Sequence, residues 1–320
     1  MMFSQENLVR NGSFEEYWEC PFAESMPYDP QIERCKYWYA PTVGTPDFFH
    51  TCAEPYAVGV PINIHGYQWP FDGNGYVGIY AMAYGPNNDE YDWRDYDWRE
   101  YIQTKLKRPL SKGGEYYMEF YVNKSNDDEM CLAIDRFGAL LTDYKIFSDD
   151  PNALILDAIP QISNPRHNII TDTLSWTKIS GTFIAKGGEI YLTIGNFYSI
   201  DSTDMLVTVE DFPFKYAYYY IDGVSLKYVE SQINVPNVFT PNNDGINDKF
   251  IIEHKSIVEF ELNIYTRWGN CVYSTNDINE YWNGKFKNSD CPDGVYYYTI
   301  KAKGAEGKIY NLNGTIQLIK

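Results

Sequence analysis

The stretch Asn234-Val-Pro-Asn-Val-Phe-Thr-Pro-Asn-Asn-Asp-Gly-Ile-Asn-Asp-Lys-Phe250 opens the C-terminal part of the chain and is dense in turn-forming residues. Downstream of it, the apolar residues Phe260, Leu262 and Ile264 alternate with Glu261, Asn263 and Tyr265, and the series runs on to Trp268. A period of two indicates strands with one buried face. The pattern predicts a small β-sandwich with Trp268 in its core; the alternative is that Trp268 forms a contact surface.

The Asn/Asp-rich turn also raises the question of a calcium loop. If Gly245 takes the sixth place of a twelve-residue loop, Thr240 stands first and Ile251 twelfth, so the strong terminal ligands are missing. The sequence therefore favours a turn in which Asn and Asp side chains bond to nearby backbone.

Further motifs follow at set distances: Arg267-Trp268-Gly269, Trp282-Asn-Gly284, Pro292-Asp-Gly-Val-Tyr-Tyr-Tyr298 and a basic Lys320. Their order and spacing resemble the type B, gliding-motility-associated C-terminal sorting domain of proteins that the type IX secretion system of Bacteroidetes exports. The resemblance implies an immunoglobulin-like β-sandwich over residues 234–320. It also implies recognition by the type IX translocon and its shuttle proteins, and a final location at the cell surface or outside the cell. The secretion-signal residues it singles out are Pro241, Asn242, Asp244, Gly245, Asn247, Asp248, Arg267, Trp268 and Gly269.

Charge and aromatic content limit the kinds of partner. Of the formal net charge of −18, residues 1–232 hold −17 (17 Lys+Arg, 34 Asp+Glu) and residues 233–320 hold −1 (9 and 10). A chain this acidic is repelled by phosphate backbones and anionic membranes, so nucleic acid is not an expected partner. The 30 tyrosines and 8 tryptophans suit β-structure and binding surfaces. No apolar run is long enough to span a membrane.

The upstream region is bracketed by two short motifs, Asn11-Gly-Ser-Phe-Glu15 and Tyr220-Ile-Asp-Gly-Val-Ser-Leu226. Together they resemble the galactose-binding-like jelly rolls, a fold that includes many carbohydrate-binding modules, and they imply one jelly-roll domain over residues 6–230. In that family the first and last strands often meet at a structural Ca²⁺, which makes Glu15 and Asp222 the candidate metal ligands. The alternative is that both carboxylates hydrogen-bond to strand ends.

Two irregular stretches interrupt the predicted strands. Residues 20–75 are rich in proline, glycine and aromatic residues, and residues 85–101 alternate aromatic with charged side chains. Loops on a rigid scaffold are common binding sites, and aromatic faces beside carboxylates suit a sugar. The predicted ligand contacts are Trp69, Trp93, Tyr96 and Trp98. The alternative is that these rings cover the core.

Other chemistries have little support. The sequence Gly73-Asn-Gly-Tyr-Val-Gly78 matches a dinucleotide fingerprint only in letters, because no helix follows it. The four histidines lack metal-ligand spacing, and no catalytic motif is present, so no catalytic residue and no other cofactor is expected. A glycosidase pair among the many carboxylates stays open, because a sequence does not give their separation.

The six cysteines fit an exported protein. Pairing within each domain is the simple expectation, with Cys271 and Cys291 as the downstream pair. Upstream, Cys20 with Cys52 is the first choice, although the four cysteines there allow three connectivities. Residues 1–5 are too short for a signal peptide, and we expect them to be the tail of one.

The predicted function is that of an exported, non-enzymatic binding or adhesion protein for a surface glycan or an envelope protein. One alternative is a structural accessory component of the gliding-motility or type IX apparatus that binds outer-membrane proteins. A carbohydrate-active enzyme comes third.

Overall fold

The computed structural model describes residues 6–84, 87–88, 91–92, 98–150, 156–210, 212, 214–305 and 307–320. The predictions for residues 1–5, Trp93 and Tyr96 lie outside this part of the chain. Two compact units are present. Unit 1 comprises Met1–Pro109, Tyr117–Phe183 and Gly188–Lys227, and unit 2 comprises Leu110–Tyr116, Ile184–Gly187 and Tyr228–Lys320.

The regular secondary structure of the described residues is almost entirely β-strand. Short 3-10 helices lie at Gln31–Arg34 and Ile200–Ser202. The strands up to Tyr228 are β1 Trp38–Tyr39, β2 Asp47–His50, β3 Ile62–Asn63, β4 Gly66–Tyr67, β5 Gly75–Tyr84, β6 Asn87–Asn88, β7 Tyr91–Asp92, β8 Tyr101–Lys105, β9 Glu115–Lys124, β10 Leu132–Ile134, β11 Gly138–Thr142, β12 Ile162–Ser163, β13 Thr177–Ile184, β14 Tyr191–Gly195, β15 Met205–Val207 and β16 Lys215–Tyr228. None of the helices in the described ranges is long and apolar enough to cross a bilayer.

These strands build two five-stranded sheets. One has the order β1-β8-β14-β11-β12 and the other β13-β9-β16-β5-β2, with the short ribbons β3-β4, β6-β7 and β10-β15 beside them. Apart from the hairpin-like pairs β2-β5 and β11-β12, successive strands of these two sheets change from one sheet to the other, as in a jelly roll. Strand β9 shows why the residues form such a sheet: its side chains alternate between buried and half-buried, with Tyr116, Met118, Phe120 and Val122 facing the core. The predicted all-β sandwich is confirmed.

The two bracketing motifs of the upstream region meet in unit 1. The N–H of Leu8 donates to the carbonyl of Leu226 at 2.8 Å, and the N–H of Val224 donates to the carbonyl of Gly12 at 2.8 Å. Asn7 joins them through its side chain, which donates to the Val224 carbonyl and accepts from the Leu226 N–H. The start and the end of the jelly roll are therefore held side by side.

Unit 2 is a small sandwich of its own. Its strands are β17 Gln232–Asn234, β18 Val238–Phe239, β19 Glu253–Lys255, β20 Ile257–Tyr265, β21 Cys271–Thr275, β22 Lys285–Phe286, β23 Ser289–Asp290, β24 Gly294–Gly304 and β25 Ile309–Leu318. The main sheet runs β18-β25-β24-β20-β21, and the ribbons β17-β19 and β22-β23 accompany it. Strand β18 pairs with β25 in parallel, while β20, β21, β24 and β25 pair in antiparallel fashion. Leu262, Ile264, Ile300 and Ile316 form part of its core.

The prediction that Trp268 belongs to the core is wrong. The alternation of β20 ends at Tyr265, and Trp268 lies in the turn before β21 with 77% of its surface exposed. The periodic rule fails here because it applies only while the chain stays extended.

One predicted disulfide is confirmed, since Cys20 and Cys52 are bonded. The expectation that the other cysteines pair within their domains is wrong in the structure. Cys35, Cys131 and Cys291 are buried free thiols, and Cys271 is exposed. The buried ones serve as small apolar side chains.

Candidate functional site

Unit 1 presents three exposed aromatic side chains at and just after β4. Tyr67, Trp69 and Phe71 are 48%, 57% and 44% exposed, and we call them the aromatic strip. The Nε1–H of Trp69 donates to the Tyr67 hydroxyl at 2.9 Å, and the Trp69 carbonyl accepts from Nε1–H of Trp176 at 3.0 Å. The Phe71 ring stacks on Tyr121 with centroids 3.6 Å apart. The rings are thus exposed and held in place.

The predicted ligand contacts fall in different places. Trp69 belongs to the aromatic strip, whereas Trp98 is half-buried and pairs through its backbone with Ala83. Trp93 and Tyr96 lie outside the described residues. The four-residue contact set stays a prediction, and the structure adds Tyr67 and Phe71 to Trp69.

Glu15 and Asp222, the two predicted calcium ligands, both accept hydrogen bonds from backbone N–H groups. Asp222 accepts from Phe71, Asp72 and Gly223, and Glu15 accepts from Asn74 and Gly75, at 2.6 to 3.0 Å. Burial raises the pKa of Asp222 well above its usual range, although these N–H groups oppose the shift. The positive ends of N–H dipoles occupy directions that a cation would need. The contacts are those of the alternative in which both carboxylates accept hydrogen bonds from the backbone. Calcium binding by Glu15 and Asp222 stays a prediction.

A third group of polar side chains comes together inside unit 1. Glu24, Asp47 and His65 place one ligand atom each within 4.8 Å of one another. Nε2 of His65 lies 3.5 Å from Oε1 of Glu24 and 3.6 Å from Oδ2 of Asp47. Asp47 is oriented by the Ser25 N–H, which donates to Oδ1 at 2.7 Å, and by the Tyr218 hydroxyl, which donates to Oδ2 at 2.6 Å.

Burial and charge shift the pKa values in and around this cluster. Burial lowers the pKa of His65, but Asp47 and Glu24 outweigh it and the pKa rises to about 9. Burial raises the pKa of Glu100 to about 7, and the nearby charge of Asp47 adds to the rise. The cluster therefore combines negative charge with burial of Asp47 and His65.

In unit 2, the Asn/Asp-rich loop is held by its own side chains, as the turn prediction expected. Asn242 Oδ1 accepts from the Asp244 N–H at 3.0 Å, and Asp244 Oδ1 accepts from the Ile246 N–H at 2.8 Å. Asp248 accepts from two backbone N–H groups, at 2.6 and 2.8 Å. Gly245 has φ +87°, which glycine adopts without steric cost. These bonds hold the loop in one shape.

The Trp282-Asn-Gly284 motif anchors this loop to the core of unit 2. Trp282 is fully buried, packs against Phe239 and Tyr296 with ring centroids 5.2 and 4.9 Å away, and its carbonyl accepts from the N–H of Phe250 at 2.9 Å. A groove of about 340 Å³ brings together residues of the loop, of this motif and of the C-terminus: Pro241, Asn243, Asp248, Lys249, Tyr281, Asn283, Gly284, Lys285, Asp290 and Lys320.

The Arg267-Trp268-Gly269 motif forms the tip between β20 and β21. The Gly269 N–H donates to the Thr266 carbonyl at 2.9 Å, and Gly269 has φ +81°. The Arg267 guanidinium lies 5.0 Å from the centre of the exposed Trp268 ring. A second groove, of about 300 Å³, joins this tip to the Pro292-Asp-Gly motif and is lined by Thr266, Arg267, Trp268, Pro292, Asp293, Gly294, Val295 and Tyr296. Motifs that are separate in sequence therefore share two grooves.

Residues 233–318 match the family model of the CHU_C type IX secretion signal domain. The C-terminal part of the chain is a type IX secretion signal domain. This confirms the resemblance of the C-terminal motifs to a type IX secretion signal, and the signal indicates export to the cell surface or the extracellular space.

No curated protein matches the chain. Among solved structures, the adhesin domain of Epf from Streptococcus pyogenes is 10% identical, with 68% of this chain and 72% of that chain covered and a TM-score of 0.28. The K1 cleaved adhesin domain of Lys-gingipain from Porphyromonas gingivalis is 14% identical, with 61% and 92% covered and a TM-score of 0.30. The CBM22-1–GH10 modules of Clostridium thermocellum xylanase 10B are 9% identical, with 69% and 31% covered and a TM-score of 0.32.

Sequence reasoning missed the cluster of Glu24, Asp47 and His65. Each residue comes from a different segment: a loop, the start of β2 and the β3–β4 turn. No spacing rule joins them. The Cys20–Cys52 disulfide, which ties the segment before Glu24 to the end of β2, was the one available signal that these segments lie close together.

Proposed function

We propose that this is an exported, non-enzymatic binding protein whose unit 1 binds glycans on a surface to which the secretion signal domain has delivered it. The observation that supports this proposal is the aromatic strip. Exposed aromatic rings in a row are uncommon on a soluble protein unless they bind something. Their flat apolar faces suit the C–H faces of sugar rings, and the Tyr67 hydroxyl, which accepts from Trp69, keeps its O–H to donate to a sugar hydroxyl.

The strip is pre-organised for binding. The hydrogen bond from Trp69 to Tyr67 and the stacking of Phe71 on Tyr121 fix the rings before a ligand arrives. A fixed surface loses little conformational entropy on binding, which favours affinity. Backbone hydrogen bonds add to this order, because Asn126 Oδ1 accepts from the Tyr67 N–H at 2.8 Å.

We expect Trp69→Ala to lower the affinity of the full chain for its glycan by about 10-fold or more, because a central aromatic contact is commonly worth over 1 kcal/mol. A glycan array identifies the ligand, and titration calorimetry with that glycan measures the change. Trp18→Ala is the matched control, since Trp18 is also in unit 1 and is 70% exposed. Equal binding by wild type and Trp69→Ala, or an equal loss in both variants, would rule the strip out.

We further propose that the secretion machinery reads the tip around Trp268. This indole is 77% exposed, which water disfavours unless a partner covers it, and it borders a groove shared with a second signal motif. The neighbouring Arg267 supplies a charge next to an aromatic face, a pairing common at recognition surfaces.

Trp268→Ala should reduce the exported fraction of the full chain several-fold while leaving its unfolding transition unchanged. The measurement is the amount of protein in the medium and on intact cells relative to the amount inside. Ile309→Ala, which removes another exposed apolar side chain of unit 2, is the control and should export normally. Normal export of Trp268→Ala would show that the machinery reads another part of the domain.

The accessory-component alternative is separated from the glycan-binding proposal by a pull-down from native membranes. Stoichiometric capture of outer-membrane machinery, together with no glycan binding, would favour the alternative. A screen with chromogenic glycosides tests the other alternative, that the protein is a carbohydrate-active enzyme.

A further inference from the structure

The buried cluster of Glu24, Asp47 and His65 has the donor set of a metal site. It offers one imidazole nitrogen and two carboxylate oxygens, and the three atoms lie within 4.8 Å of one another. Nitrogen together with carboxylate oxygen suits Zn²⁺ and the other divalent transition metals, whereas Ca²⁺ and Mg²⁺ prefer oxygen alone.

The distances fit coordination better than hydrogen bonding. The His65 Nε2 contacts of 3.5 and 3.6 Å to Glu24 and Asp47 are longer than N–H···O hydrogen bonds, which are typically about 2.7 to 3.2 Å. Two ligand atoms that are each about 2.0 to 2.1 Å from a tetrahedral Zn²⁺ lie about 3.3 to 3.4 Å apart. The His65 nitrogen therefore already lies close to the ligand separation of such an ion from each carboxylate.

The imidazole nitrogen also lacks another partner. The His65 side chain is 4% exposed, and its Nε2 has no hydrogen-bond partner in the described part of the chain. A buried polar atom without a partner costs about 1 to 3 kcal/mol. It points toward both carboxylates, which is where a bound ion would satisfy it.

The surroundings supply orientation and access. Asp47 is fully buried and held by Ser25 and by Tyr218, as outer partners hold the ligands of metal sites. Tyr218 also packs against the imidazole, with ring centroids 3.9 Å apart. Glu24 keeps 35% of its side chain exposed, so one side of the cluster is open to solvent. Three protein ligands leave a fourth position for water.

We propose that Glu24, Asp47 and His65 form a binding site for a divalent transition metal of the zinc class. With a neutral imidazole, two carboxylates balance the charge of one such ion. The competing account is a buried ion pair between a protonated imidazole and the carboxylates, with no metal.

The test is zinc binding by the full chain after treatment with a chelator, measured by titration calorimetry and by metal analysis after dialysis. We expect one tight zinc per chain, a loss of at least about 10-fold in affinity for Glu24→Gln, and no site in His65→Gln. Glu24→Gln is the more decisive variant because its side chain is partly exposed and the amide keeps its shape. Circular dichroism checks that both variants are folded.

His167→Gln is the matched control, because His167 contacts Asp204 at the surface of unit 1 and is 75% exposed. It should bind zinc like the wild type. The proposal fails if the wild type binds no zinc, if Glu24→Gln binds it as tightly as the wild type, or if His167→Gln is the variant that loses it.

Discussion

Replacing Trp282 with alanine is expected to lower the free energy of unfolding of the secretion signal domain by about 3 to 5 kcal/mol. The indole is fully buried and packs between Phe239 and Tyr296, so its loss leaves a large cavity. Its Nε1–H also donates to the Lys285 carbonyl at 3.0 Å, and the truncated variant leaves that carbonyl without its partner. Typical domains have only about 5 to 15 kcal/mol of stability, so this change takes away much of it.

Urea denaturation of the full chain, followed by circular dichroism, measures the effect. Trp268→Ala is a matched control, since it removes the same side chain from an exposed position of the same unit. We expect that variant to differ from wild type by no more than about 0.5 kcal/mol. Equal destabilisation by the two substitutions would contradict the burial on which the prediction depends. The pair also separates folding from recognition, because only Trp268→Ala is expected to impair export without unfolding the domain.

The sequence predicted the fold well where local patterns decide it. The Asn/Asp loop formed its turn because short polar side chains bond to backbone only a few residues away, as Asn242 does with Asp244. Strand β20 could be predicted from the alternation of Phe260 to Tyr265 alone. It was the resemblance to jelly rolls, not a local pattern, that implied that the opening and closing motifs of unit 1 meet, and the bond from Val224 to Gly12 shows that they do.

The sequence failed where long-range packing decides. Trp268 continues the alternating series in the sequence, but the chain turns at Thr266. The indole is therefore exposed to solvent. The cluster around His65 depends on loops whose paths no periodic rule describes. Its three side chains come together only in the tertiary structure, so the sequence does not predict that they form a cluster.

A second large effect is expected from Glu100, through pH. Burial raises its pKa from the ordinary 4.5 to about 7, because the ionised form is poorly solvated there. A folded state with the higher pKa binds the proton more tightly than the unfolded state. The contribution of protonated Glu100 to the free energy of unfolding is therefore complete below about pH 4.5 and is lost as the pH rises through about 7. This difference between the folded and unfolded pKa of Glu100 corresponds to about 3 kcal/mol in the free energy of unfolding.

Urea denaturation of wild type and Glu100→Gln from about pH 5.5 to about pH 8 isolates this contribution, because glutamine does not titrate there. At the acidic end Glu100 is a neutral carboxyl group in the folded wild type, and both of its oxygens can still accept, from the Thr45 and Tyr80 N–H groups at 2.7 and 3.0 Å. The variant is expected to be less stable there, because the amide NH2 of glutamine cannot accept from either N–H group. Its disadvantage should shrink steadily toward the alkaline end, because wild type alone then has to keep a buried charge. The control is Glu33→Gln, at an exposed glutamate. Its free energy of unfolding should change with pH in parallel with that of wild type over the whole range. A constant gap between wild type and Glu100→Gln across this range would mean that Glu100 titrates alike in the folded and unfolded chains.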